Sequence, residues 1–354
     1  MSNSEIISIT IKPSLQMVIV IGVLLFTACS TSENITYEEN ETYYYLSSTG
    51  SDLIREQIKE SFKSIKRLQN EAVYQTYYFD KENPPRRSDL RDADLKVIAD
   101  HSKLENHSTA GTALTISNTR GQIALLTAAH IVSFPDTIWQ FAGESVPVLE
   151  ERVNSVSVKE SLNHYVYSDD RIILFDVIVT DTDRDLAVLS RDMSEDREYT
   201  SLETLHIPPG NADRMDWTDM FYAVGYPKGF QMVTRGMLSK ALLNPRSRLI
   251  LDASFNRGFS GGALFAVRSD GSGLEWVGLV TMASAEREEY VAPEETPEGE
   301  YRSGKIYEGP LFAQSSYRLN YGITFAIDIN EIGNFFNDYE EELRDENIRI
   351  PRIQ

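Results

Sequence analysis

Thr112-Ala113-Leu114-Thr115-Ile116-Ser117-Asn118-Thr119-Arg120-Gly121-Gln122-Ile123-Ala124-Leu125-Leu126-Thr127-Ala128-Ala129-His130 is the stretch on which the fold turns. Two short runs, 112–116 and 123–127, are rich in apolar and β-branched residues and flank Gly121, which reads as two strands around a turn. The second run delivers a histidine at its end. Moving outward, the same kind of run recurs at Ile172 to Thr180, Phe221 to Val224, Leu249 to Leu251, Ala263 to Val267, Trp276 to Val280 and Ile323 to Ile327. Upstream, Ala72 to Phe79 reads as a first strand. Many strands with Gly, Pro and Asn turns, and few amphipathic helices between them, predict an all-β barrel or sandwich.

The flanks are of different character. Ser51-Asp52 can cap a helix, and Leu53, Ile54, Ile58, Phe62, Ile65 and Leu68 recur at helical spacing, so a helical lead-in is expected over 51–70. Lys81 to Arg91 is polar and proline-containing, hence loop. A closing helix is expected over Ile329 to Arg344, carrying Ile332, Phe335, Phe336 and Leu343. From Ala283 to Tyr317 lie eight glutamates against three basic residues, with three prolines. That is too long and polar for an ordinary connection and reads as an acidic insertion, 283–317, which would border the substrate cleft or form a solvated excursion. No internal repeat is visible.

The 354 residues carry 34 Lys and Arg against 54 Asp and Glu, a formal net charge of −20. Nucleic acid is therefore not an expected partner, because phosphate binding wants clustered cations. The single cysteine, Cys29, excludes an internal disulfide and any Cys-rich metal site. It ends an apolar run from Leu15 that is too short to span a bilayer, which takes roughly 20 residues. Leu25-Phe26-Thr27-Ala28-Cys29 resembles the bacterial lipobox. The resemblance implies a signal peptide over 1–28, lipidation at Cys29, a Ser/Thr/Asn/Glu-rich tether over 29–50, and an acyl anchor in the membrane. Ser30 after the cysteine points to the outer membrane, facing the periplasm, rather than the inner one.

Three local motifs carry chemistry. Leu126-Thr127-Ala128-Ala129-His130 ends a strand, Asp185-Leu186-Ala187-Val188-Leu189 follows the polar corner Asp181 to Arg184, and Gly258-Phe259-Ser260-Gly261-Gly262 opens a strand. A serine hydroxyl needs an imidazole to take its proton as it attacks, and the imidazole needs a carboxylate to hold its tautomer. The Gly-x-Ser-x-Gly elbow of α/β-hydrolases would put the histidine after the serine, but His101, His107, His130, His164 and His206 all precede Ser260. A subtilisin-like order would need an acid such as Asp94 or Asp100 and alternating strands and helices, which the pattern lacks. No His-Glu-x-x-His supports zinc hydrolysis.

In this order, the three motifs resemble the trypsin/chymotrypsin-like serine proteases, and their HtrA/DegP-like branch in particular, over roughly residues 71–335, within an expected protease domain over 71–345. Gly111-Thr112-Ala113, Ala223 to Gly229, Thr234 to Ser239 and Tyr321 to Ile327 look like stretches of that branch. The resemblance implies two antiparallel six-stranded β-barrels with an N-terminal helix and a short C-terminal one. It implies His130 as base, Asp185 as its orienter and Ser260 as nucleophile, with the N–H groups of Gly258 and Ser260 as an oxyanion hole. It implies a substrate pocket at Ser254 and Gly278, a polypeptide substrate, and no cofactor or metal. Phe259 stands where the family has Asp or Asn, so packing must order the serine loop. Ser254 stands where enzymes that cut after Lys or Arg carry an acid, which argues against a basic preference. The function expected is serine endopeptidase at the envelope surface, in protein quality control. The alternatives are a catalytically silent protease-like lipoprotein that grips peptides, and a structural envelope lipoprotein.

Overall fold

The computed structural model describes residues 51–142, 151–168, 171–195, 202–239, 248–293 and 311–353, all within one compact unit spanning Thr49–Gln354. Cys29, the signal peptide and the tether lie outside the described residues, as does the middle of the acidic insertion, 294–310.

Thirteen strands alternate with short helices among the described residues. The first sheet takes β1 (Ile65–Tyr78), β2 (His101–Thr119), β3 (Gln122–Thr127), β4 (Thr137–Phe141), β5 (Val153–Ser168), β6 (Arg171–Asp181) and β7 (Leu186–Asp192). Its order is β1-β2-β3-β7-β6-β5-β4, and an added β1–β5 pairing closes six strands into a ring, with β4 outside it on β5. The second sheet takes β8 (Met220–Gly225), β9 (Met232–Ser239), β10 (Arg248–Asp252), β11 (Ala263–Val267), β12 (Leu274–Pro293) and β13 (Leu311–Asp328). These form a closed barrel in the order β10-β13-β12-β11-β8-β9. Among the described residues, every ladder within the two sheets is antiparallel. The mainly β class and the two-barrel expectation hold, with the seventh strand an addition to the first.

The residue patterns explain the layering. On β3, Ile123 and Leu125 point into the first ring, while Ala124 and Leu126 join a central cluster shared by both sheets. On β7 the split is Ala187 and Leu189 against Leu186 and Val188. In the second barrel Phe221 and Ala223 face inward, and Tyr222 and Val224 face the seam. A strand buried on both faces shows no polar alternation, because successive side chains point to opposite faces and both are dry. Each fully buried large side chain contributes about 1.5–3 kcal/mol, so the seam is a major source of stability.

The lead-in differs from expectation. Helix α1 spans Asp52–Ser61 and seats Ile54 and Ile58 on the seam. It does not continue to residue 70: Ile65 and Leu68 belong to β1. In that strand Leu68, Asn70, Ala72, Tyr74 and Thr76 are buried at a period of two, and pairing with both β2 and β5 overrides the weak helical spacing. Two four-residue helices follow β1, α2 (Arg87–Leu90) and α3 (Leu95–Ile98). A third, α4 (Ala129–Val132), carries His130. The closing helix is broken at Tyr339 into α5 (Ile329–Asp338) and α6 (Glu340–Asp345). The described parts of the acidic insertion are strand, since β12 and β13 remain paired out to Pro293 and Leu311.

Candidate active site

His130 and Asp185 meet because of strand register. β3 and β7 are antiparallel neighbours whose last pair is Thr127 with Ala187. His130 lies three residues past the end of one, and Asp185 two residues before that partner, so both emerge at the same edge. His130 Nδ1 lies 2.9 Å from Asp185 Oδ2 and 3.0 Å from Oδ1, and the His130 backbone N–H donates to Oδ1 at 2.9 Å. The Asp185 carbonyl accepts from Ala129 N at 3.1 Å. Asp185 is buried, whereas the His130 side chain is 43% exposed, and Nε2 has no partner among the described residues. The ring is therefore oriented from below and open above.

Asp185 takes a left-handed backbone, φ 63°, which an aspartate tolerates better than most residues. The corner before it is folded by Asp181, whose Oδ1 accepts from the N–H groups of Asp183 and Arg184 at 3.0 and 2.9 Å. The Arg184 side chain bonds Asp181 at 2.8 Å, and from α5 Glu331 at 2.6 Å and Asp338 at 2.5 Å. These carboxylates, Glu331 first, push the Arg184 pKa further up.

Ser260 comes from the second barrel, on the turn that opens β11. Its hydroxyl donates to the Thr281 carbonyl at 2.6 Å. The loop is tied to the first ring through Thr112 of β2, a fully buried residue. Thr112 N–H donates to Ser260 O at 2.8 Å, and its hydroxyl donates to Gly258 O at 2.7 Å while accepting from Tyr226 N at 2.9 Å. Gly111 lies between the Ile131 side chain, next to His130, and the Ser260 carbonyl, so a Cβ there would strike Ile131. The structure thus brings Ser260 against the strand that flanks the histidine helix.

The turn itself depends on two glycines. Gly258 and Gly261 have φ of 102° and 84°, and a Cβ on Gly261 would collide with the Thr112 carbonyl. The N–H groups of Phe259, Gly261 and Gly262 are bonded to Asn256 O, Val280 O and Phe259 O. Those of Gly258 and Ser260 take no partner among the described residues. Phe259 is 1% exposed and packs in the second barrel's interior, its ring 5.1 Å from that of Phe255. Apolar packing orders this loop, where the sequence offers no acid to do so.

The other expected residues lie as follows. Ser254 is exposed, four residues before Gly258. Gly278 is buried in the wall of the second barrel, so close to the Ile327 carbonyl that it leaves no room for a side chain. Its own carbonyl accepts from Trp276 Nε1 at 2.8 Å. Thr112, Thr281 and Arg184 were not legible as site residues. Thr281 acts through its backbone, and a threonine in an apolar strand or an arginine in a polar corner carries no spacing signal.

Residues 111–274, a little under half of the chain, match the family model described as a trypsin-like peptidase domain. No curated protein matches the chain. Among solved structures, an HtrA-type protease, AlgW, as a serine-to-alanine variant with a decapeptide, is 18% identical; the alignment covers 81% of this chain and 67% of that one at TM-score 0.44. The serine endoprotease from Yersinia pestis is 20% identical, with 82% and 67% covered at TM-score 0.39. An inactive serine-to-alanine mutant of a protein from M. tuberculosis H37Rv is 12% identical, with 81% and 91% covered at TM-score 0.40.

Proposed function

We propose, from the premise that residues 111–274 are a trypsin-like peptidase domain, that this protein is a serine endopeptidase with His130, Asp185 and Ser260 as its triad. The observation that carries the reading is the paired contact of His130 Nδ1 with both Asp185 oxygens, at 2.9 and 3.0 Å. That contact leaves Nε2 as the nitrogen that receives the Ser260 proton and returns it to the leaving amine. Ser260 Oγ then bonds to the scissile carbonyl carbon, and water hydrolyses the resulting acyl-enzyme through the same base. The unpartnered N–H groups of Gly258 and Ser260 hold the developing oxyanion; removing one such donor in a protease costs about 2.7–4 kcal/mol.

Before attack the Ser260 hydroxyl must leave Thr281 O and turn to His130. That resting hydrogen bond at 2.6 Å is what favours the second reading, a catalytically silent protease-like protein that grips peptides. Proteolysis of an unfolded casein-type substrate, run beside fluorophosphonate labelling, separates the two. Wild type cleaves and labels, while Ser260→Ala loses several orders of magnitude in kcat and does not label. A wild-type chain that neither cleaves nor labels leaves the silent reading standing.

The substrate class is polypeptide, and exposed Ser254 supplies no acid for a basic side chain. If the acidic segment Glu286 to Glu308 borders the cleft, its local negative potential would favour basic peptides over acidic ones at low salt. The proposed site of action is the cell envelope, in protein quality control, with Cys29 as the lipidated first residue of the mature chain. Diacylglyceryl plus amide-linked chains hold a protein firmly, whereas one acyl chain alone holds weakly. Mass spectrometry of the mature N-terminus decides this; an unmodified Cys29, or cleavage elsewhere, removes the anchor.

A further inference from the structure

Arg184 precedes Asp185 directly, and its guanidinium is bonded to three carboxylates on two separate parts of the chain. Asp181, which folds the corner, lies at the end of β6. Glu331 and Asp338 lie on α5, 147 and 154 residues further on. The Arg184 side chain is 26% exposed, with Asp181 at 10% and Glu331 at 19%, so these three are largely sunk into the surface, while Asp338 at 56% lies at its rim. Helix α5 is itself anchored in the seam by Ile329, Ile332, Phe335 and Phe336. The first turn of α5 is capped by Asp328, whose carboxylate accepts from Glu331 N at 2.8 Å. Tyr339 and Glu342 also lie beside the cluster, and Asp213 lies near the capping Asp328.

Two features make this more than a surface ion pair. The residue that Arg184 leads into has a left-handed backbone, which the surroundings must impose. Moreover, all three partners are acids, so without the guanidinium Asp181, Glu331 and Asp338 would repel one another at the base of the corner. The fork geometry of arginine can bridge separate carboxylates in fixed directions, which an ammonium cannot.

We propose that Arg184 is a positioning residue: it locks the 181–185 corner onto α5 and thereby holds the Asp185 carboxylate under His130. This rests on the triad reading given above. Arg184 touches neither substrate nor the reacting atoms; it acts through Asp185, and α5 becomes part of the support of the active site. Stability passes from the seam, through α5 and the guanidinium, to the orientation of the imidazole.

The test uses the full chain as wild type, Arg184→Ala, Arg184→Lys and Glu331→Ala. Arg184→Ala is expected to lower kcat by roughly 10- to 100-fold with KM within about twofold, since a misplaced catalytic group costs rate and not ground-state binding. Arg184→Lys and Glu331→Ala should fall in between. The acid limb of kcat/KM reports the free imidazole. It should move to lower pH, because a displaced carboxylate stabilises imidazolium less. Bare loss of a nearby cation would move the limb the opposite way, and a purely structural role would not move it. The proton on His130 Nδ1, seen by NMR as a downfield imidazole resonance, gives a readout independent of hydrolysis. It should broaden or vanish in Arg184→Ala while circular dichroism stays native. If wild type fails to hydrolyse or label, the triad reading fails, yet the resonance still tests the positioning. An unmoved acid limb with an intact resonance, or a limb displaced upward, overturns the proposal. Should Arg184→Ala not fold, the same two measurements on Arg184→Lys and Glu331→Ala decide it.

Discussion

The two sheets contribute to the site in different ways. In the first ring, His130 and Asp185 are products of a single register: β3 and β7 lie side by side, and their ends place imidazole and carboxylate in double contact. In the second barrel, Ser260 sits on a turn whose shape depends on positive-φ glycines, a buried phenylalanine and hydrogen bonds borrowed from β2 of the other sheet. The first half is assembled at the end of one ladder, its corner tied to α5 through Arg184. The second is assembled across the seam, and its hydroxyl rests on Thr281 O. The proposed base and the proposed nucleophile thus rest on different local supports, a ladder end and a glycine turn, and each can be damaged alone.

The sharpest way to break the first half is Asp185→Asn. The amide keeps the shape and tolerates the left-handed backbone but favours the wrong imidazole tautomer; kcat should fall by about 10⁴, with the thermal midpoint nearly unchanged. Exposed Asp183→Asn is the control and should be close to wild type. If Asp183→Asn is the damaging change, the third member of the triad has been assigned to the wrong residue.

The second half is broken by Phe259→Ala. Removing a fully buried aromatic ring should cost about 3–5 kcal/mol of stability, measured by urea denaturation. Fluorophosphonate labelling of Ser260 should slow as the turn loosens, while the His130 Nδ1 resonance persists. Loss of that resonance as well would mean that the halves are not separately supported.

The smallest effect concerns the cap of the helix that braces the corner. Burial pushes the Asp328 carboxyl up from 3.8 to about 6. The folded state therefore holds this proton more tightly than the unfolded one, and the group's contribution to stability falls as pH rises from about 4 through 6. At pH 7 the folded protein carries a buried charge. Asp328→Asn keeps the capping oxygen without that charge and should stabilise by about 1–2 kcal/mol at pH 7, with the advantage fading near pH 4. Equal denaturation midpoints for the two proteins at pH 7 would show that the cap bears its charge at no cost.

Much of this architecture was legible in the residues. The apolar runs at 123–127, 172–180, 221–224 and 263–267 all fall within strands, and the stretches around His130, Asp185 and Ser260 all fall within the segment matched as a trypsin-like peptidase domain. What escaped was polar or long. β4, the middle of β5 and the outer half of β2 have sequences such as Ser161-Leu162-Asn163 that no periodicity marks, because both of their faces are largely open there and pairing with neighbouring strands determines them. Ile65 and Leu68 fit a helical spacing as well as a strand, and the double pairing of β1 decided between the two.

By itself, then, the sequence determined the class of fold, the count of candidate bases and nucleophiles, and their order, because hydrophobic period and residue chemistry are local properties. It also implied, through Phe259, that packing rather than an ion pair must order the serine turn. Only the tertiary structure decided that Asp185 meets His130 with both oxygens, that Thr112 ties Ser260 to the other sheet, that Ser260 rests on Thr281, and that Arg184 reaches α5. Those are contacts between groups 21 to 154 residues apart. They depend on register and on the docking of two buried layers, neither of which any single stretch of residues encodes.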